Sequence, residues 1–103
     1  MIASAFLARC KPHAILINTG RGALIDEAAL ASALRGNRLH GAGLDVFETE
    51  PLPADSPLRT LANVILTDHA AWYSEEAVTD LQRKAAEEVA RLLTGAPPLH
   101  QVN

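Results

Sequence analysis

Residues 14–22, Ala14-Ile15-Leu16-Ile17-Asn18-Thr19-Gly20-Arg21-Gly22, decide how this chain folds. Ala14 to Asn18 is a continuous apolar run closed by an asparagine. At that length it reads as a strand buried on both faces. Thr19 to Gly22 follows as a turn with two glycines. Asp26 then caps a helix over Glu27–Arg35, and Gly36 ends it. Leu30 and Leu34, four apart, give that helix a small apolar face. The unit is therefore strand, turn, helix.

The same alternation extends in both directions. Upstream, Ile2 to Cys10 reads as a short helix, stopped near Pro12. Downstream, Ala42 to Val46 is a second short strand, closed by Asp45 and a Pro-rich loop over Glu48–Pro57. Val64 to Thr67 is a third strand. Ser74 caps a long helix with Glu75 and Glu76 in its first turn. Val78, Leu81, Ala85, Val89 and Leu92 form its apolar stripe, and Gly95 with Pro97-Pro98 terminates it. Strands alternating with helices predict an α/β fold with a parallel sheet. Three strands are few for such a sheet, so the chain reads as incomplete, with a strand expected upstream.

Ligands of open α/β sheets bind beyond the carboxyl ends of the strands. Each strand here ends in chemistry. The first ends at Asn18-Thr19-Gly20-Arg21, the second at Asp45 with Glu48 and Glu50 beyond, and the third at Asp68-His69. One cation, several carboxylates and one imidazole are thus expected at one sheet edge. Arginine clamps a carboxylate through two parallel hydrogen bonds. Histidine, titrating near neutrality, takes a hydroxyl proton as hydride leaves the carbon. A carboxylate on its far nitrogen orients the ring and stabilises its protonated form.

Composition removes other classes. Of 103 residues, 49% are hydrophobic and 20% charged, which is globular rather than disordered. The net charge is −3 with interspersed signs, so no nucleic-acid surface is expected. No apolar run approaches the roughly 20 residues of a membrane span. The apolar start lacks a charged leader, and Arg9 and Lys11 follow it, so no signal peptide is read. Cys10 is the single cysteine. It is expected to be a small buried hydrophobe in a cytoplasmic, reducing setting. No metal site is expected. His13, His40 and His100 have no partners in sequence and are read as surface residues.

At the site residues the chain resembles the D-isomer-specific 2-hydroxyacid dehydrogenases. Asn18-Thr19-Gly20-Arg21-Gly22 with Leu24-Ile25-Asp26-Glu27-Ala28-Ala29-Leu30 is similar to the family's N-x-x-R-G-x-x-[VI]-D-x-x-A-L signature. Gly43-Leu44-Asp45-Val46-Phe47-Glu48-Thr49-Glu50-Pro51 is similar to G-L-D-V-F-x-x-E-P. Asn63-Val64-Ile65-Leu66-Thr67-Asp68-His69 is similar to N-V-[IL]-L-T-P-H. The resemblance implies a partial Rossmann-like sheet, with 1–73 the C-terminal half of a dinucleotide-binding domain. Residues 74–103 would be a helix and tail returning toward a substrate domain absent from the chain.

The resemblance also implies roles. Arg21, Glu50 and His69 would be catalytic: Arg21 binds the substrate's carboxylate, His69 is the acid/base, and Glu50 pairs with His69. Thr19, Gly20, Arg21, Asp45 and His69 would line the nicotinamide end of NAD, and the residue that discriminates NAD from NADP lies outside the chain. Asp45 would lie near the carboxamide. The substrate would be a small 2-hydroxyacid or 2-oxoacid, and the full-length parent a homodimer. Ala70-Ala71-Trp72-Tyr73-Ser74-Glu75-Glu76-Ala77 and the chain's end resemble the C-terminal-binding-protein branch, where Trp72 would contribute to the substrate pocket.

Departures accompany the match. Asp68 stands where the family usually has proline, either raising the pKa of His69 or facing solvent. Ala71 stands where many members have glycine. No G-x-G-x-x-G occurs in the chain, and the acid expected about 20 residues beyond such a loop is missing with it. The 103 residues alone are therefore expected to be inactive. Two other readings are a corepressor-type binding scaffold and a remnant whose exposed apolar faces favour association.

Overall fold

The computed structural model describes residues 1–101. Two compact units divide at Ala71, Met1–Ala71 and Trp72 onward. The first holds a three-stranded parallel sheet: β1 (Ile15–Asn18), β2 (Gly41–Leu44) and β3 (Val64–Leu66), in the order β1-β2-β3. The register pairs Ile15 with Gly41 and Asn18 with Leu44, then Ala42 with Val64 and Leu44 with Leu66. Parallel strands need crossovers. α2 (Glu27–Arg35) makes the first, and a Pro-rich loop with a 3-10 turn (Pro57–Thr60) makes the second. All three strands therefore end at the same edge.

The helix boundaries follow from capping. Asp26 accepts a hydrogen bond from the Ala29 amide at 2.8 Å and starts α2 where expected. It ends at Arg35 with Gly36 as its C-cap, also as expected. Gly36 has an ordinary φ of −82°, and Asn37 takes the left-handed position at φ 53°. The Arg38 amide then bonds the Ala33 carbonyl and the Asn37 amide the Leu34 carbonyl, the paired bonds of a Schellman ending. Asparagine tolerates that conformation better than other side-chain-bearing residues.

The first helix, α1 (Ser4–Leu7), is shorter than the expected Ile2–Cys10. Ile2 is drawn out of it by pairing with Ile25. Its amide bonds the Leu24 carbonyl, and its carbonyl accepts from the Asp26 amide. At the other end the Arg9 and Cys10 amides reach back only three residues, so the last turn tightens and stops.

One face of the sheet is packed and the other is open. Leu7, Leu30, Ala31, Leu34, Leu39, Ala42, Leu44 and Leu58 form a buried core with Leu16, Val64 and Leu66 against it. On the opposite face Ile15, Ile17 and Ile65 are 60%, 70% and 72% exposed. This corrects the expectation that β1 is buried on both sides. An unbroken apolar run shows what both faces of a strand suit. It does not supply the layer that covers the second face. Cys10 is half-buried at the core's margin.

In the second unit, Ser74 accepts from the Ala77 amide and starts α3 (Glu75–Leu93). Gly95, at φ 80°, closes it with the Gly95 amide on Leu92 and the Ala96 amide on Arg91. One side of the helix carries charge pairs, Arg83 with Glu87 and Lys84 with Asp80. The expected stripe is present, with Leu81, Val89 and Leu92 more than half exposed. Val102 and Asn103, the last residues of the tail, lie outside the described residues. Among the described residues no helix is long and apolar enough to cross a membrane.

Candidate active site

Asn18 ends β1 with its side chain buried. Its Oδ1 accepts from the Gly20 amide at 3.1 Å, and its Nδ2 donates to the Arg21 carbonyl at 2.9 Å. That folds residues 18–21 into a local turn in which the asparagine replaces a backbone partner. Arg21 is held at the rim of the sheet, exposed, with Nη1 donating to the Gly20 carbonyl at 2.8 Å. Directly after it, Gly22 lies against the main chain of Phe47 and Glu48. A Cβ built on Gly22 would sit 1.9 Å from the Phe47 carbonyl carbon. Glu27 closes the same contact by accepting from the Glu48 amide at 2.6 Å.

The loop after β2 carries Glu50. Its Oε1 accepts from the Phe47 amide at 3.0 Å, and its Oε2 meets His69 Nδ1 at 2.8 Å. The pair is 37% and 46% exposed, too wet for the ion pair to contribute much stability. Its consequence is orientation of the ring. His69 follows β3 at φ 49°, a left-handed conformation that costs a residue with a Cβ about 1–3 kcal/mol. Such outliers persist only where surrounding bonds enforce them. Asp68, the departure from the family's proline, is exposed.

Asp45 is 3% exposed. Its Oδ1 accepts from Thr67 Oγ1 at 2.5 Å and from the Ala70 amide at 2.8 Å, and its Oδ2 from the Ala71 amide at 2.9 Å. The Thr67 hydroxyl first, with the two amides, holds Asp45 below the usual carboxylate range against the opposing effect of burial. Bonding by His69, then by the Phe47 amide, lowers Glu50 in the same way.

Both shifts fix a pH dependence. A depressed carboxylate contributes stability that is complete above its unfolded value, near 4, and is lost as pH falls through its lower folded value. Urea denaturation of the chain should therefore give stability that is level above about pH 5 and declines below about pH 4. An unchanged midpoint from pH 6 to pH 3 would contradict these assignments.

The structure thus brings His69, Glu50, Asp45 and Thr67 into one bonded set, with Arg21 on the neighbouring strand end. Thr19 and Gly20 are exposed in the turn before Arg21. Trp72 opens the second unit, its ring edge-on to Tyr73 at 5.2 Å. Sequence reading did not assign Asn18, Thr67 or Glu27. Asn18 had a legible signal, an asparagine at a strand end two residues before a glycine. Thr67 and Glu27 act on groups about twenty residues away and had none. Among the described residues no group of three or more His, Cys, Asp or Glu is placed to hold a metal ion.

Comparison with known proteins shows what the chain is similar to. Residues 1–71 match the model of the D-isomer specific 2-hydroxyacid dehydrogenase, NAD binding domain. The chain is 46% identical over its whole length to glyoxylate/hydroxypyruvate reductase B of Enterobacter agglomerans, covering 32% of that protein. Among solved structures, a D-isomer specific 2-hydroxyacid dehydrogenase from Xanthobacter autotrophicus Py2, in complex with NADPH and MES, superposes with TM-score 0.84 at 40% identity. It covers 97% of this chain and 40% of that one. An NADPH-dependent glyoxylate/hydroxypyruvate reductase from Sinorhizobium meliloti, in complex with NADP and malonate, gives TM-score 0.85 at 34% identity, covering 98% and 31%. The chain spans about a third of the length of the curated relatives it matches. These three relatives are named as reductases and a dehydrogenase, and none of them singles out the C-terminal-binding-protein branch.

Proposed function

Because this chain belongs to the D-isomer specific 2-hydroxyacid dehydrogenase family, we propose that it supplies the proton-transfer half of a site interconverting a small 2-oxoacid and its 2-hydroxyacid. The observation that carries this reading is the 2.8 Å bond between His69 Nδ1 and Glu50 Oε2. With Nδ1 engaged, proton exchange falls to Nε2. In the reductive direction the protonated ring gives its proton to the carbonyl oxygen. In the oxidative direction the neutral ring takes the hydroxyl proton. Glu50 remains ionised through the cycle, stabilising the imidazolium and fixing the ring. Arg21 grips the substrate carboxylate through two parallel hydrogen bonds, exchanging its present contact with Gly20 for the substrate.

The donor set suits the nicotinamide end of NAD or NADP. Exposed main chain at Thr19 and Gly20 lies beside Arg21, and Asp45 and His69 share the same sheet edge. A bound nicotinamide would supply or accept the hydride. No glycine-rich phosphate loop occurs in these 103 residues, so cofactor binding requires further polypeptide, and the chain alone is expected to be inactive. Trp72 we place beside the substrate, and the parent we take to be a homodimer. Glyoxylate and hydroxypyruvate are the first substrates to test, since the relatives are named for them.

The test is a chimera in which this chain replaces the matching third of the Enterobacter agglomerans reductase. It should oxidise NADH or NADPH with glyoxylate or hydroxypyruvate, and not with an aldehyde or ketone that lacks the carboxylate. A folded chimera that binds the cofactor but oxidises none of it in the presence of either acid would overturn the reading.

A further inference from the structure

The segment that carries His69 contributes no residue to the buried core. Residues 67–71 are all exposed, yet His69 is held in a left-handed conformation that an untethered chain would leave. Polar bonds hold it: Glu50 takes the His69 ring, the Thr67 amide bonds the Leu44 carbonyl, and four of the others converge on one residue. Asp45 receives the Thr67 hydroxyl from before His69 and the Ala70 and Ala71 amides from after it. Its main-chain carbonyl accepts the amide of His69 itself at 2.9 Å. Its own amide is tied to the Asn18 carbonyl of β1 at 3.0 Å. The bracket around His69 is thus fastened to the rigid sheet.

We propose that Asp45 is a positioning residue for His69, acting through the main chain of residues 67–71, with Thr67 as its accessory. The inference rests on the reading of His69 as the acid/base. It gives Asp45 a role other than facing the nicotinamide carboxamide. An ionised carboxylate offers about four lone-pair sites, and three are already taken by internal donors. Burial makes the arrangement stringent, since a buried carboxylate left without these partners is costly. Asn in place of Asp keeps the shape but turns an N–H group toward one of the donors.

The test is made on the 103-residue chain by NMR. Asp45→Asn should speed amide hydrogen exchange at Ala70 and Ala71 by about tenfold or more. It should also abolish the Nδ1–H signature of the His69 ring bonded to Glu50, while amides of α2 and the sheet stay protected. Thr67→Val should move both readouts in the same direction, and Thr67→Ser should restore them. If Asp45→Asn does not fold, the Thr67 pair decides alone. A His69 ring signature unchanged by both Asp45→Asn and Thr67→Val would overturn the proposal even with the reductase reading intact. A ring that moves as expected in a chain whose chimera lacks reductase activity would sink that reading and leave this one standing.

Discussion

His69→Gln in the reductase chimera is expected to lower kcat by about 10²–10⁴-fold, the usual contribution of a positioned general acid or base. Glutamine preserves a polar group of similar reach but cannot exchange a proton at neutral pH. KM for the 2-oxoacid should change far less, because Arg21, on another strand end, is assigned the carboxylate. The fold should survive. His69 is nearly half exposed, and its pairing with Glu50 adds little to stability. Circular dichroism and cofactor affinity close to those of the unsubstituted chimera would accompany the lost turnover. A rate within threefold or so of the original would remove His69 from the chemistry.

Gly22→Ala is expected to destabilise the first unit by about 3 kcal/mol or more, a large fraction of the stability of a domain this size. The cause is steric and local. The added methyl would lie 1.9 Å from the carbonyl carbon of Phe47 and 2.4 Å from the Glu48 nitrogen. Those are main-chain atoms, so no side chain can swing aside. The Phe47–Glu50 loop would have to retreat, taking with it the Glu27 contact to the Glu48 amide and the Glu50 contact to His69. For a unit of this length each kcal/mol is about 4–8 °C, so Tm should drop by at least about 10 °C. A Tm within two or three degrees of the parent would mean that the loop has room the geometry denies.

These outcomes depend on contacts that differ in how openly the sequence declared them. The parallel α/β alternation was legible, because short apolar runs, caps and glycine stops act within a few residues. Asp26 and Ser74 start their helices where their side chains can reach an amide three residues on. A shift arose where a distant partner competed. Ile2 left its helix to pair with Ile25. The open face of β1 was illegible for a related reason. The composition of a strand shows what it suits, and only the neighbouring layers decide what covers it.

The candidate site divides in the same way. Residue type and position at strand ends point to Arg21, His69 and a set of carboxylates without any geometry, and the family resemblance picks Glu50 from that set. The supports are hidden. Asp45 reads in sequence as an acid at a strand end, to which only the resemblance gives a place near the carboxamide. Its partners are a hydroxyl 22 residues later and amides 25 and 26 residues later. Backbone amides carry no sequence signature, so such a bracket is visible only once the strands are in register. Asn18 is an intermediate case, since its partners are only two and three residues away.

The central claim is that Glu50 works on the reaction through His69. A double-mutant cycle in the chimera tests it most directly, with kcat measured for Glu50→Gln, His69→Gln and the pair together. Glu50→Gln alone should slow turnover, and should slow it no further once His69 is already glutamine, because its target is gone. Two losses that simply multiply would contradict the account, placing Glu50 and His69 in separate roles.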